Sequence, residues 1–240
     1  MVSCSSDNDL AARASEAWIS EIARASRAGK PHCVALSGGR IARKFFTATV
    51  HRIRTGRIGG GDSARLLDHV HFFWADERCV PPTDGESNFR MADELLFRPL
   101  GVSAGRIHRI CGEESPEVAA EKAAAEISRI VPLKAAGQPA LDLILLGLGE
   151  DGHVASLFPG ESEAVASGPE VYRSVHNSPK PPLKRVTLGY AAIAAAGQVW
   201  MLASGGGKAA ALGDAVSPAG NNPFARVLRS RSGVTVFRDF

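Results

Sequence analysis

His153 stands two positions after Asp151 in the glycine-bracketed segment Gly147-Leu-Gly-Glu-Asp-Gly-His153, directly behind the chain's clearest apolar run, Leu141-Asp-Leu-Ile-Leu-Leu146. An imidazole with an ordinary pKa of about 6.5 can take a proton from water near neutral pH. A carboxylate beside it can fix its tautomer and favour the imidazolium that forms during reaction. His153 and Asp151 are therefore a candidate general-base pair; the plainer alternative is a structural histidine in a turn. Three further segments carry polar or glycine-rich chemistry at strand ends. Ser37-Gly38-Gly39 lies between a strand and a helix, where glycine admits close backbone approach and a helix start offers free N–H groups to an anion. An ordinary tight turn would look the same. Gly205-Gly-Gly-Lys208 places a lysine at a helix start behind a flexible loop, fit to neutralise a phosphate. It is not a P-loop, because Leu202 and Ala209 stand where that pattern needs glycine and a hydroxyl. Asp76-Glu77-Arg78 offers acid and base in one turn, with Glu77 pointing away from its neighbours and reading as a salt-bridged loop residue.

Other patterns carry less. Gly147-x-Gly149-x-x-Gly152 matches the dinucleotide fingerprint in form, but Pro159 interrupts the helix that should follow and Glu170 precedes a strand instead of ending one. No cofactor is expected. His69 and His71 share a strand face and have no third ligand spaced to complete a metal site. Ser156 and Ser178 lack the G-x-S-x-G context of a hydrolase nucleophile.

These residues need elements to hold them. Ala11, Ala14, Trp18, Ile22 and Ala25 recur at helical spacing and stop at Gly29-Lys30-Pro31. Strands are expected at 33–36, 69–74, 141–146, 171–175, 185–188, 199–203 and 234–237. Ser87 is a cap for a helix carrying Phe89, Met91, Leu95 and Leu96. Ser115-Pro116 caps and opens an Ala-rich helix reaching about Ile130, and further helices centre on Ala191 and Ala209. Gly59-Gly-Gly61 and the stretch from Glu161 to Pro169 read as surface loops. Strands alternating with helices imply an α/β fold, a mostly parallel sheet with helices on both faces, and ligands beyond the carboxyl ends of the strands.

Of the 240 residues, 45% are hydrophobic and 22% charged, enough for a sizeable core in a single α/β domain over 1–240. A net charge of +3 from 28 basic and 25 acidic residues, dispersed along the chain, argues against nucleic acid as a partner. Apolar stretches of a few residues exclude a membrane-spanning helix. The start, Met1 to Asp9, has neither the basic nor the apolar region of a signal peptide. Cys4, Cys33, Cys79 and Cys111 lie far apart, as free thiols in a reducing cytoplasm do.

The sequence resembles the 6-phosphogluconolactonases. The resemblance is carried by Leu36-Ser-Gly-Gly39, the segments 73–81 and 86–91, the run 141–159 with its Asp-Gly-His-x-x-Ser-Leu-Phe-Pro core, the segment 178–187, and Gly207-Lys208. It implies a modified Rossmann-like fold shared with amino-sugar-phosphate isomerases. It also implies metal-independent hydrolysis of 6-phospho-D-glucono-1,5-lactone to 6-phosphogluconate in the oxidative pentose phosphate pathway. On that resemblance His153 is the general base and Asp151 orients it. Ser37, Gly38, Gly39, Arg185 and Lys208 form the phosphate end, Asp76 belongs to the substrate-binding set, and Arg78 faces either the phosphate or the developing oxyanion. The partner implied is a small sugar-phosphate lactone, and the assembly a monomer or small homo-oligomer. One position departs from the family: Arg40 stands where a hydroxyl residue usually follows the glycines, which puts substrate affinity in question. An amino-sugar-phosphate isomerase or deaminase would continue Asp-Gly-His with a Glu that pairs with the histidine, whereas Val154-Ala-Ser-Leu-Phe-Pro159 has none. A non-catalytic sugar-phosphate-binding domain in a regulator would need a helix-turn-helix, and only one helix precedes the first strand.

Overall fold

The computed structural model describes residues 1–56, 66–134 and 136–240. In chain order its elements are β1 (Val2–Ser3), α1 (Asp7–Arg27), β2 (His32–Leu36), α2 (Arg40–Arg54), β3 (Val70–Trp74), β4 (Asp76–Arg78), α3 (Asn88–Ala92), α4 (Arg98–Leu100) and α5 (Pro116–Ile130). There follow β5 (Leu143–Gly147), α6 (Glu163–Ala166), β6 (Tyr172–Val175), β7 (Arg185–Leu188), α7 (Tyr190–Ala195), β8 (Gln198–Ala203), α8 (Ala209–Val216), α9 (Pro223–Ser230) and β9 (Thr235–Arg238). The expected loop at Gly59 to Gly61 lies outside the described residues.

Local chemistry sets most boundaries. The Ser6 side chain accepts from the Asp9 N–H to cap α1, whose Leu10, Ala14, Trp18 and Ile22 all turn into the core. Ser87 and Ser115 cap α3 and α5 as their sequences predict, with Pro116 in the first turn of α5. Six strands form one parallel sheet in the order β1-β9-β8-β5-β2-β3. All five residues of β2 are buried, although successive side chains leave opposite faces, so both faces of the sheet are covered there.

The structure corrects the sequence reading in three places. The strands at 171–175 and 185–188 do not join the parallel sheet; β6 and β7 form a separate antiparallel sheet with β4, in the order β4-β7-β6. The reason is the connection between them: residues 176–184 contain no helix, and a parallel crossover needs a dozen or more residues. Asp76-Glu77-Arg78 is accordingly strand β4 and not a turn. Ala75 alone separates it from β3 and serves both sheets, donating to the Leu36 carbonyl at 2.7 Å and accepting from the Leu188 N–H at 2.8 Å. The sequence reading also omits α6, inside the stretch expected to be a loop, and α9, capped by Asn222 with Pro223 in its first turn.

Candidate functional site

A cavity of about 650 Å³ opens where the carboxyl ends of β2, β5 and β8 meet the edge of the small sheet. Ser37, Gly38 and Gly39, Asp76 and Arg78, His153, Arg185 and Lys208 all line it. Residues from four separate segments thus line one cavity. Asp151 stands behind the His153 ring.

The turn after β5 builds the histidine. Its backbone closes through Gly149 N–H to the His153 carbonyl at 2.8 Å and Gly152 N–H to the Gly149 carbonyl at 3.1 Å. A Cβ on Gly149 would fall 2.0 Å from His153 Nδ1 and 2.4 Å from Asp151 Oδ1, so glycine there is what lets the pair form. Asp151 Oδ1 lies 2.5 Å from His153 Nδ1 and also accepts the His153 backbone N–H at 3.2 Å. An ionised carboxylate only accepts, so Nδ1 carries a proton, and in the neutral ring the lone pair is the one on Nε2. Burial works against the charge on Asp151, but its bonds and attraction to His153 outweigh that and hold its carboxyl below the ordinary value.

The glycine cradle is set by β2 and α2. Ser37 Oγ donates to the Leu145 carbonyl at 2.7 Å, tying the ends of β2 and β5 together, so its hydroxyl proton is spent on the scaffold. Gly39, at φ 99°, is the N-cap of α2 and no side chain caps that helix. Its first-turn amides thereby lack a capping side chain, an arrangement that suits an anion. Gly38 lies against the Asn88 amide so closely that a Cβ would fall 1.9 Å from Asn88 Oδ1. Arg40 is exposed at the cavity mouth.

On the facing edge Arg78 and Arg185 are directly opposed across β4 and β7. Like charges so placed destabilise a sheet unless an anion shares them. Arg185 is pinned, with Nε donating to the Pro182 carbonyl at 3.0 Å, Nη2 to the Lys180 carbonyl at 2.9 Å, and its guanidinium 5.8 Å from the Phe158 ring centre. Burial, with Arg78 adding repulsion against the pull of Asp76, leaves its pKa lowered. Arg78 donates from Nη1 to the Glu86 carbonyl at 2.7 Å and to its carboxylate at 3.3 Å, while its buried Nε has no partner among the described residues.

Asp76 is a buried strut, accepting from Ser156 Oγ at 2.7 Å. Glu77 is not salt-bridged as the sequence suggested. Its carboxylate accepts from the Arg78, Asn88 and Phe89 N–H groups at 2.7–2.8 Å and from Ser87 Oγ at 3.2 Å, at the start of α3. Burial pushes it up to about 7 against those bonds. Lys208 is half-buried at the start of α8. Burial lowers its pKa, Glu150 opposes that, and Arg40 and Lys180 add to it.

The cavity is also lined by polar residues outside the sequence-based candidate set, among them Asp7, Lys44, Asn88, Lys180 and Asp239. Asn88 lay within a segment already recognised, but nothing in sequence says that its amide faces the glycines. His71 stacks on His108 with ring centres 5.2 Å apart, in line with a strand-face role. Among the described residues no three His, Cys, Asp or Glu side chains could hold a metal ion together, and no helix is long and apolar enough to cross a membrane.

Residues 5–237 match the family of glucosamine-6-phosphate isomerases/6-phosphogluconolactonase. A 6-phosphogluconolactonase of Streptomyces coelicolor is 35% identical over 223 residues, 89% of this chain and 82% of its own. One of Treponema pallidum is 42% identical over 132 residues, which are 54% of this chain and 50% of its own. The solved structure of the 6-phosphogluconolactonase of Trypanosoma brucei superposes with a TM-score of 0.81 at 29% identity, covering 99% of this chain and 94% of that one.

Proposed function

Because the chain belongs to the glucosamine-6-phosphate isomerase/6-phosphogluconolactonase family, we propose that it hydrolyses 6-phospho-D-glucono-1,5-lactone, with His153 as general base. One observation carries the reading: Asp151 holds Nδ1–H of His153, so the basic Nε2 belongs to a ring on the wall of a cavity rich in cations. His153 Nε2 takes a proton as water adds to the lactone carbonyl, and Asp151 stabilises the imidazolium. When the tetrahedral adduct collapses, the C1–O5 bond breaks and the imidazolium returns the proton to the departing ring oxygen. The α2 amides with Gly38 and Gly39, Lys208 and Arg185 hold the phosphate. Arg78, opposite Arg185 in register, reaches the same anion.

The isomerase reading finds no second carboxylate after the histidine. Val154 and Leu157 are fully buried and Ser156 is bonded to Asp76. The test is turnover of freshly made lactone, followed as acid release above the spontaneous rate. His153→Ala should lower kcat on the order of 10²–10⁴-fold with a small change in KM. Wild-type protein without turnover, or a His153→Ala variant with near-normal kcat, refutes it.

A further inference from the structure

Gly205-Gly-Gly207 is three consecutive glycines ahead of Lys208, the sequence least able to hold a lysine in place by itself. Nothing in α8 helps, since no side chain caps that helix. The loop is held from outside. Parallel pairing of β8 and β9 sets Ala203 opposite Arg238, so the next residues along, Ser204 and Asp239, meet past the strand ends. Asp239 Oδ2 accepts from Ser204 Oγ at 2.7 Å and Oδ1 accepts from the Gly205 N–H at 2.7 Å. Gly205 sits at φ 95°, and its carbonyl accepts the Lys208 N–H at 3.0 Å, closing the turn that presents the lysine.

Asp239 also lines the cavity, where a negative charge opposes an anionic ligand. A carboxylate on that wall needs a reason, and the two short bonds supply one: charge-assisted acceptors hold a backbone turn more firmly than neutral ones. We propose that Asp239 is a positioning residue for substrate phosphate, clamping the Ser204–Gly205 turn so that Lys208 is set before the ligand arrives. The proposal rests on the lactonase reading of the site. It makes Asp239 act through hydrogen bonds and through Lys208 only.

The experiment measures KM and kcat for the lactone in wild type, Asp239→Ala, Asp239→Asn and Ser204→Ala, each also in a Lys208→Met background. Asp239→Ala should raise KM on the order of 10-fold with kcat within about twofold, the size expected for losing hydrogen bonds to a charged group. Asn can accept from Gly205 N–H and donate to Ser204 Oγ, so Asp239→Asn should restore most of the lost affinity. Ser204→Ala, which keeps one of the two bonds, should fall between and serves if Asp239→Ala does not fold. With Lys208→Met in place, none of the three should raise KM further. An Asp239→Asn variant as impaired as Asp239→Ala, an equal KM rise in both backgrounds, or an unchanged KM in Asp239→Ala overturns the proposal. Thermal stabilisation by inorganic phosphate, read on the same proteins, should weaken in Asp239→Ala and not in Asp239→Asn. That arm still decides the clamp if wild type shows no lactone turnover, an outcome that refutes the lactonase reading alone.

Discussion

Replacing Gly38 by alanine tests how the cradle is shaped. The new Cβ would lie 1.9 Å from Asn88 Oδ1 and 2.6 Å from Asn88 Cγ, where ordinary contact begins at 3.4 Å. Asn88 must therefore withdraw by about 1.5 Å, the difference of those distances. It has little freedom to do so, being 3% exposed, with its backbone N–H on Glu77 at 2.8 Å and its Nδ2 on the Asp76 carbonyl at 2.9 Å. Stretching that last bond by about 1.5 Å breaks it and leaves a buried donor and acceptor unpaired, for about 1–3 kcal/mol, and an off-rotamer side chain adds about 1 kcal/mol. The expected loss is about 2–4 kcal/mol, or a melting temperature lower by roughly 5–15 °C for a chain of this size. Calorimetry and urea titration of Gly38→Ala, Asn88→Ala and the double variant read it directly. With the Asn88 side chain removed the clash is gone, so Gly38→Ala should cost almost nothing in that background. An equal loss in both backgrounds would refute the reasoning and put the need for glycine in the backbone itself.

Two more expectations follow from polar groups drawn partly or wholly out of solvent. Arg106 Nη1 donates to His71 Nε2 at 2.5 Å, so His71 Nδ1–H donates to His108 Nε2 at 2.9 Å, and His108 Nδ1–H to Glu126 at 2.8 Å. Burial, with the charge on Arg106, pulls His71 from an ordinary 6.5 to about 4. The unfolded chain binds that proton first, so stability falls as pH drops from about 6.5 to about 4 and this contribution levels off below. Urea midpoints between pH 7.5 and 4.5 should fall less in His71→Leu than in wild type, and parallel profiles would exclude the effect. Ser156→Ala removes the 2.7 Å bond to Asp76 and should lower stability by about 1–3 kcal/mol while kcat stays within a few-fold. A loss of several thousandfold in kcat would instead make Ser156 a nucleophile.

What could be read from the sequence was what is written locally. His153 and Asp151 are two residues apart in one turn, the glycines precede a helix, and Lys208 follows a glycine run, so each announces itself within a short window. Strand β4 does not: three residues pair with a strand more than a hundred positions away, and such a segment has no periodicity of its own. The role of Glu77 is hidden for the same reason, because two of the amides it satisfies belong to a helix starting at Asn88. Asp239 depends on the β8–β9 register, which no composition or spacing reveals. The helix at Pro223 is a different kind of omission. Asn222-Pro223 uses the same cap grammar as Ser115-Pro116, and it could have been found.

The strand that carries the cradle has a bearing on synthesis. β2 pairs with β3 on one side and with β5 on the other, and its Cys33 N–H is held at 2.7 Å by Asp142, 109 positions later. Until the ribosome has passed β5, one edge of a strand that ends up fully buried has no partner, and that edge is a template for pairing with another chain. The Ser37 bond to Leu145 waits on the same event. A nascent chain stopped before β5 would therefore lack a finished anion cradle and expose its most adhesive surface, a state in which chaperones have the most to protect.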